Sequence, residues 1–525
     1  MHRPTQQEGE ASATPTIVDD GLVVRSLEDL HDQIDPRISI SSRPTPEELD
    51  EALSTRINEP FYVEFKEGDE RNPINFSRRK KWCITALACF STLIASSTAS
   101  AYSLGTPSMT RDLNCSNFQA TIGIAIYCLG FGIVPLVTAS FSEEFGRQPL
   151  YIGSGIGFIL MYLMVALAKN IQTVLIARFI QGAFGSTGAT MVGGTIADIW
   201  AAKERGLPMS LFSLVAVGGN GIGPFIAGWI EMNPKLGWRW IQWVQMMICA
   251  VYLVLIPFMM TETRSSVLLT RLAKKMRKDT GDNRYRARVE DERASLRTLI
   301  FISCTRPVHL MLTELVVASF SLWIGFAWGV TYVMVQSISG VFRNLHGFTM
   351  GQVGSVFMTM AIGSFLGFLT NFYQESLYQK NFPTRGPEAR LYSACFAAVL
   401  LPVSMFIYAW CSFAKVHWIS LAIAIVMYIM ATFIIYLAVF SYLADCYGPF
   451  ASSALAGQSL ARNITATAFP LFTKQMYQQL DYKWANTLFG CIAALMVPIP
   501  FILFFYGPAI RMRSKFSRAV MESQR

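Results

Sequence analysis

Charge is scarce in this sequence. Only 15% of its residues are Asp, Glu, Lys or Arg, against 52% that are hydrophobic, and its mean hydropathy is +0.36. A soluble domain carries nearer a quarter charged residues, so that class is excluded. Histidine is scarcer still, with five in 525 residues at positions 2, 31, 309, 346 and 417. None is spaced as a metal ligand, so no metal and no cofactor is implied. Multi-spanning membrane enzymes, such as lipid-modifying transferases, cluster His, Asp or Cys near one membrane face, and no such cluster is visible. The ten cysteines include no C-x-x-C. Cys83, Cys89, Cys128, Cys249, Cys395, Cys411 and Cys491 sit in apolar runs and read as small hydrophobes, not as a disulfide framework. The opening MHRPTQQEGEASATPT lacks an apolar core, which predicts no cleavable signal peptide and leaves insertion to the first span.

Long apolar runs are what the chain has in abundance. Twelve are counted, at 82–104, 118–140, 148–168, 172–197, 207–230, 239–260, 308–337, 351–374, 391–412, 417–443, 452–473 and 484–507. About 20 apolar residues cross about 30 Å of hydrocarbon, so each is long enough for a transmembrane helix. The formal net charge of +9 is set largely by loops. Arg78, Arg79, Lys80 and Lys81 precede the first run, and Arg511, Arg513, Lys515 and Arg518 follow the last. Arg147, then Lys203 and Arg205, then Lys380, Arg385 and Arg390 fill alternate loops, while the others carry one or two basic residues each. By the excess of basic residues in cytosolic loops, both termini are expected in the cytosol. This distribution also disfavours nucleic acid as the partner of the positive charge.

The expected organisation follows. Residues 1–81 form a polar, disordered cytosolic tail with a weak phosphorylation signal at Ser39, Ser41 and Ser42. Residues 82–260 and 308–507 are two six-helix bundles, and 508–525 is a basic tail. The middle loop, 261–307, holds SVLLTRLAKKMRKDTG, with Leu268, Leu272 and Met276 at helical spacing against a basic face. It reads as an amphipathic helix lying on the cytosolic membrane surface, with calmodulin-type binding as the minor reading. The halves repeat. Span 4 ends at Ala197-Asp198 and span 10 at Ala444-Asp445, and Pro224 and Pro470 follow 26 and 25 residues later. Matched helix breakers at matched depth mark a two-repeat transporter with its site between the repeats. Asn114-Cys115-Ser116 is a candidate glycosylation sequon, expected to be little used because the loop is short.

Four stretches resemble the major facilitator superfamily, and within it the fungal twelve-span drug:proton antiporter family, over about residues 73–516. ASFSEEFGRQPLY between spans 2 and 3 is similar to the loop motif of an acid followed by Gly-Arg, through Glu143, Gly146 and Arg147; Ala139 and Glu144 depart from it. Asp198 is a candidate partner for Arg147, and Glu143 for the N-terminus of span 11 near Ser452 and Ser453. Together they would make a gate that closes in one state and breaks in the other, or else a solvated loop. RFIQGAFGS in span 4 matches Arg-x-x-Gln-Gly through Arg178, Gln181 and Gly182. The family links this arginine to proton transfer, although it would keep its own proton; it would tune an acid, hold an anion, or anchor span ends. GGNGIGPFIAGW in span 5 resembles the antiporter motif, with Gly219, Gly223, Pro224 and Gly228 in register and Ala227 in place of one Gly. Span 8 offers Gly363, Ser364 and Gly367 as the facing small surface. The fourth stretch is diffuse, including GPEARLY and SSALAGQSLARN.

The resemblance implies an all-α major facilitator fold whose cavity is lined by spans 1, 4, 7 and 10. Those spans supply Tyr102, Gln181, Trp323, Trp328, Tyr332, Gln336, Tyr428 and Tyr436, each also readable as ordinary packing. Glu314 is the acid candidate for carrying a proton, or a residue at the cytosolic boundary of span 7. Arg178 with Arg462, which Asn463 follows, would make the cavity positive and favour an organic anion. The expected activity is proton-coupled efflux of a small drug or secreted metabolite, such as an organic acid or glycolipid, by a monomer in the plasma or vacuolar membrane. Export of polyamines or cationic drugs, import, and a non-transporting sensor are the alternatives, and an enzyme is not expected.

Overall fold

The computed structural model describes residues 22–25 (backbone), 60–201, 204–292, 295–514 and 516–518. They fall into two units: a small one drawn from Met1–Ser77 and Glu262–Ser295, and a large one from Arg78–Thr261 and Leu296–Arg525. The phosphorylation signal at Ser39, Ser41 and Ser42 lies outside the described residues.

The large unit is built of helical rods. Span 1 runs Arg78–Ala101 and continues through short turns to Asp112, and span 2 is Asn117–Ile133 with Pro135–Phe145, bent by 43°. Spans 3 to 6 are Arg147–Ala166, Ile171–Ile199, Gly206–Glu231 and Gly237–Met259. Span 7 is Leu315–His346, span 8 joins Met350–Val356 to Met358–Arg385, and spans 9 and 10 are Tyr392–Cys411 and Trp418–Tyr447. Spans 11 and 12 share the continuous stretch Ala451–Met496, which turns back at Asp481 (φ 55°, ψ 168°) and ends in Pro498–Arg513. Among the described residues eight helices are long and apolar enough to cross a membrane, or nine with the bent pair. Two of the eight are double, Met350–Cys411 and Ala451–Arg513, each turning back inside its length. The remaining rod, Ile171–Ile199, is diluted by glycine, threonine and two charges, which keeps it outside that set. Twelve spans result among the described residues.

Burial sorts the spans into inner and outer ones. The apolar windows of spans 7 and 10 are 83% and 72% buried, and those of spans 3 and 6 only 44% and 28%. In lipid no hydrophobic drive holds helices together, so the inner contacts rest on close packing of small residues. Gly223 in span 5 is one such place: a Cβ there would strike the backbone carbonyl of Ser97 in span 1. Gly228 is another, with its added Cβ 2.6 Å from the Met350 carbonyl oxygen and 2.8 Å from Gly354 Cα in span 8. The halves meet along two seams, span 5 against span 8 and span 2 against span 11.

Span 7 starts later than the sequence suggests. Leu296–Thr313 is a separate helix with Pro307 inside it, and the chain breaks at Glu314 (φ −97°, ψ 109°) before the span begins. That helix packs on the second part of span 2, where Ser140 and Ser303 hydroxyls lie 2.8 Å apart, and on span 11. The final helix likewise runs past the expected boundary at 507, to Arg513.

The small unit holds the largest departure. Its sheet has the order β1 (Leu22–Arg25), β2 (Phe61–Phe65), β3 (Tyr285–Arg286), with β1–β2 antiparallel and β2–β3 parallel. Helix α1 (Ser265–Thr280) forms from the amphipathic stretch, ending at Gly281 in the left-handed region (φ 72°). Its apolar face is not bare. Val63 from β2 packs with Ala273, Met276 and Ala287, and Leu269, Leu272 and Tyr285 close around them. Residues 61–65 are thus a strand and not part of a disordered tail, and the apolar face of α1 is covered by that strand and not turned to lipid. FYVEF is rich in aromatic and β-branched residues, with Phe61, Val63 and Phe65 at the strand period, but it is too short to stand out beside some 60 polar residues. Arg277 donates to both oxygens of Glu290, at 2.9 Å each, and to the Tyr285 carbonyl, fixing helix α2 (Arg288–Glu292). Those bonds hold the Glu290 carboxyl below its usual range.

Candidate transport site

Span directions alternate, so one face of the large unit carries Arg78, Arg147, Asp198, Arg390, Asp445 and Arg511. On this basic face the helix-to-helix turn at Gly146 (φ 93°) swings Arg147 into the first turn of span 3. Its Nε lies 2.5 Å from Asp198 Oδ2 at the end of span 4, and both side chains are largely buried. The guanidinium rests on Gly194, where a Cβ would sit 2.7 Å from Cζ. Arg205 donates to the carbonyls of Trp200 and Ala197 at 2.7 and 2.6 Å, capping span 4. Glu143 is exposed at the end of the span 2 helix.

The second half repeats this arrangement. Arg390 donates to Asp445 at 3.1 Å and to Glu375 at 2.9 Å, with its guanidinium 3.4 Å from the Tyr378 ring centre. Glu375 faces Gly206 at the start of span 5, in the other half. The repeat of Asp198 as Asp445 is the sequence signal for this cluster, but it does not identify Arg390 or Glu375 as the partners. Charge-assisted hydrogen bonds contribute about 1.5–3 kcal/mol when partly buried. Asp198→Asn keeps the shape and removes the charge. It is expected to slow transport by about tenfold at saturating cargo, with a smaller change in half-saturation, measured as initial efflux rates.

The deep charges separate into two environments. Arg178 is fully buried within the first half, between the rings of Tyr102 and Tyr127, each 4.4 Å from its Cζ. It donates to the Gln181 side chain at 2.9 Å and to the carbonyls of Gly123 and Thr98 at 3.2 and 3.4 Å. Gly182 brings span 4 against the Tyr127 backbone, closing this packet. Arg178 and Tyr102 therefore tie spans 1, 2 and 4 together, with Arg178 Nη2, Gln181 Nε2 and the Tyr102 hydroxyl buried and unpartnered among the described residues.

Arg462 sits differently. Span 11 sets its guanidinium 4.6 Å from the Trp328 ring of span 7 and 4.9 Å from the Tyr436 ring of span 10. The two rings are 5.7 Å apart. Among the described residues its guanidinium makes one polar contact, a 3.3 Å bond from Nη2 to the Ser459 hydroxyl, and its Nε has no partner. Asn463, next in sequence, bonds the Ser459 carbonyl at 2.8 Å and fills the space at Gly132 of span 2. Tyr332 meets Cys128 of span 2, and the buried Gln336 Nε2 has no partner among the described residues. A guanidinium, two aromatic faces and an amide thus meet where span 2 of one half approaches span 11 of the other.

The other sequence candidates fall elsewhere. Trp323 stacks on Phe320, and Tyr428 donates to the Ala327 carbonyl at 2.5 Å; both are core. Glu314 lies at the break before span 7 on the basic face, accepting a 3.1 Å bond from Tyr447. Continuous apolar sequence across 308–337 hid that break. Of the expected small face on span 8, Ser364 lies opposite Gly218, but Gly363 and Gly367 face span 10 at Ile429 and Phe433. Gly221, Pro224 and Gly228 meet span 8 farther along, at Phe357, Gly354 and Met350, while Gly219 and Gly223 face span 1. Asn114 is exposed at φ 47°, and Ser116 of its sequon caps the span 2 helix through Gln119. Glu388, within the GPEARLY stretch, and Arg511, near the end of span 12, form a buried bidentate pair with both bonds at 2.9 Å.

Comparison with known proteins adds to this geometry. The model of the Major Facilitator Superfamily matches residues 88–450. The chain is 32% identical over 472 residues to the multidrug transporter FLR2 of Candida glabrata, covering 87% of this chain and 80% of that one. It is 32% identical over 454 residues to the citrinin biosynthesis cluster MFS transporter mrr1 of Monascus ruber, covering 86% and 91%. Among solved structures, the xylose transporter XylE of E. coli, partially occluded and inward open, matches with a TM-score of 0.57 at 15% identity. That match covers 81% of this chain and 99% of that one, and it bears on fold alone.

Proposed function

The chain belongs to the major facilitator superfamily, and we propose that it exports small organic anions with an apolar or aromatic body by proton-driven alternating access. The observation that carries this reading is Arg462, a deep guanidinium flanked by Trp328 and Tyr436 with its Nε unpartnered among the described residues. A buried charge is costly until it is paired, so a cargo carboxylate gains more there than it would in water. The two rings offer faces to an apolar body. A cationic cargo would meet a like charge, and among the described residues no carboxylate pairs with Arg462.

Efflux is favoured over import by the span 5 glycines and by the relatives, whose names are those of multidrug transporters and transporters of biosynthetic gene clusters. The basic face is the cytosolic one, by the loop charges. It holds two salt-bridge clusters, Arg147–Asp198 and Arg390–Glu375–Asp445, positioned to open and re-form as the halves rock about the two seams. Glu314 and Tyr447 at that face are the candidate proton-exchanging groups.

Efflux from loaded cells across a panel of aromatic acids, neutral drugs and organic cations, with and without an uncoupler, tests the reading. Export of acids that collapses with the uncoupler is expected. Export that survives it removes the proton from the mechanism, and movement of cations alone overturns the assignment of cargo.

A further inference from the structure

The middle loop carries eight basic residues between Arg271 and Arg288, and the structure divides them into two sets. Arg277, Arg284, Arg286 and Arg288 each pair with an acid of the same unit: Glu290, Asp282, Asp291 and Glu292. The other four, Arg271, Lys274, Lys275 and Lys278, enter no ion pair among the described residues, and all four are exposed. They are spaced i, i+3, i+4, i+7, which places them in one stripe along α1. The opposite face of the same helix, at Leu269, Leu272, Ala273 and Met276, is covered by Val63, Tyr285 and Ala287.

We propose that this stripe docks on the anionic surface of the surrounding bilayer, by charge and without insertion. A helix that enters the interface does so with its apolar face, and here that face is occupied by β2. What is left to meet a partner is a row of four cations, the number and placement that anionic headgroups recognise. The partner is also close by covalent structure. Span 6 ends at Met259, three residues before the unit's Glu262, and span 1 begins at Arg78, directly after Ser77. Such tethers keep the effective concentration of the bilayer high and make weak contacts count. A calmodulin-type partner grips an apolar helix face, which this helix does not offer while β2 is paired. The tail's own acids, Glu47, Glu48 and Glu51 among them, are the competing anions, so the stripe has to prefer headgroups over them.

The test uses the full chain in nanodiscs, with a fluorescent amino acid at Asp279 and an energy acceptor on lipid headgroups. Transfer is expected to be at least about twofold higher when roughly a third of the lipid is phosphatidylserine than in phosphatidylcholine alone. It should fall to the neutral-lipid value as salt rises from about 0.1 to about 0.5 M. The quadruple variant Arg271→Gln, Lys274→Gln, Lys275→Gln, Lys278→Gln should show the neutral-lipid value in both discs; all four sites are exposed, so the fold is spared. Equal transfer in the two lipids overturns the proposal. So does an anionic-lipid signal that persists at high salt, which would mean insertion of an apolar face. A third overturning result is a signal that micromolar inositol hexakisphosphate or calmodulin abolishes, since the stripe would then prefer a soluble polyanion or an acidic protein.

Discussion

Arg462→Gln should weaken export of an aromatic acid by tenfold to a hundredfold in the cargo concentration at half-maximal rate. A hydrogen bond to a charged group contributes about 1.5–3 kcal/mol, and each 1.4 kcal/mol is about tenfold. Glutamine keeps an amide donor on a shorter side chain and removes the charge, so the loss reports what the guanidinium contributes to holding the cargo. Arg462→Lys should fall between, because an ammonium keeps the charge but not the planar fork that binds a carboxylate in two places. Trp328→Leu removes one of the two neighbouring rings on which the guanidinium rests, and should weaken bulky cargo more than small acids. Initial efflux rates against cargo concentration separate these outcomes. The control is the other deep arginine. Arg178 is sealed between Tyr102 and Tyr127 and holds the Gly123 and Thr98 carbonyls. Arg178→Gln is therefore expected to lower the amount of folded protein and leave half-saturation of the survivors unchanged. The reverse pattern, half-saturation shifted by Arg178→Gln and untouched by Arg462→Gln, would place the cargo within the first half and defeat the assignment.

These two arginines also show what the sequence could and could not reveal. Both stand out as charges within apolar runs, because membrane burial of a charge is rare enough to notice. Nothing in their local sequence says that one is wrapped by rings of its own half while the other lies where the two halves meet. That depends on which helix faces which, and small-residue stripes such as GGNGIGP mark a close-packed face without naming its partner. The span 5 glycines accordingly divide between span 1 and span 8, and the facing glycine in span 8 is Gly354 and not Gly363. Spacing was informative where a motif fixes geometry. Arg147 follows a tight glycine turn, and Asp198 ends the neighbouring helix, so their meeting was legible; the repeat of Asp198 as Asp445 pointed to a second cluster. Boundary residues were the weak point. An apolar count runs on through Leu310, Met311 and Leu312 and hides the break at Glu314. A basic count assigns Arg511 to a tail.

Arg511 is in fact among the most consequential side chains of the second half. Its Nε and Nη2 donate to the two oxygens of Glu388, and Tyr442 of span 10 adds a third bond at 3.2 Å. Glu388 lies in the turn before span 9 and Arg511 near the end of span 12, so the pair clasps spans 9, 10 and 12 at one face. Both side chains are over nine-tenths buried. Removing one partner strands the other charge without water, a loss of about 3–5 kcal/mol. Glu388→Ala and Arg511→Ala should each shorten the thermal half-life of the detergent-solubilised protein sharply. The double variant Glu388→Leu, Arg511→Met should recover most of that loss, since no bare charge is left. Half-lives at a fixed temperature are the right measure, because a chain of this size unfolds irreversibly. Transport per folded molecule should stay near that of the parent in all three, because the clasp joins elements of one half and does not cross the seams that move. A double variant no more stable than either single would show that the packing around Tyr442, and not the stranded charge, sets the loss.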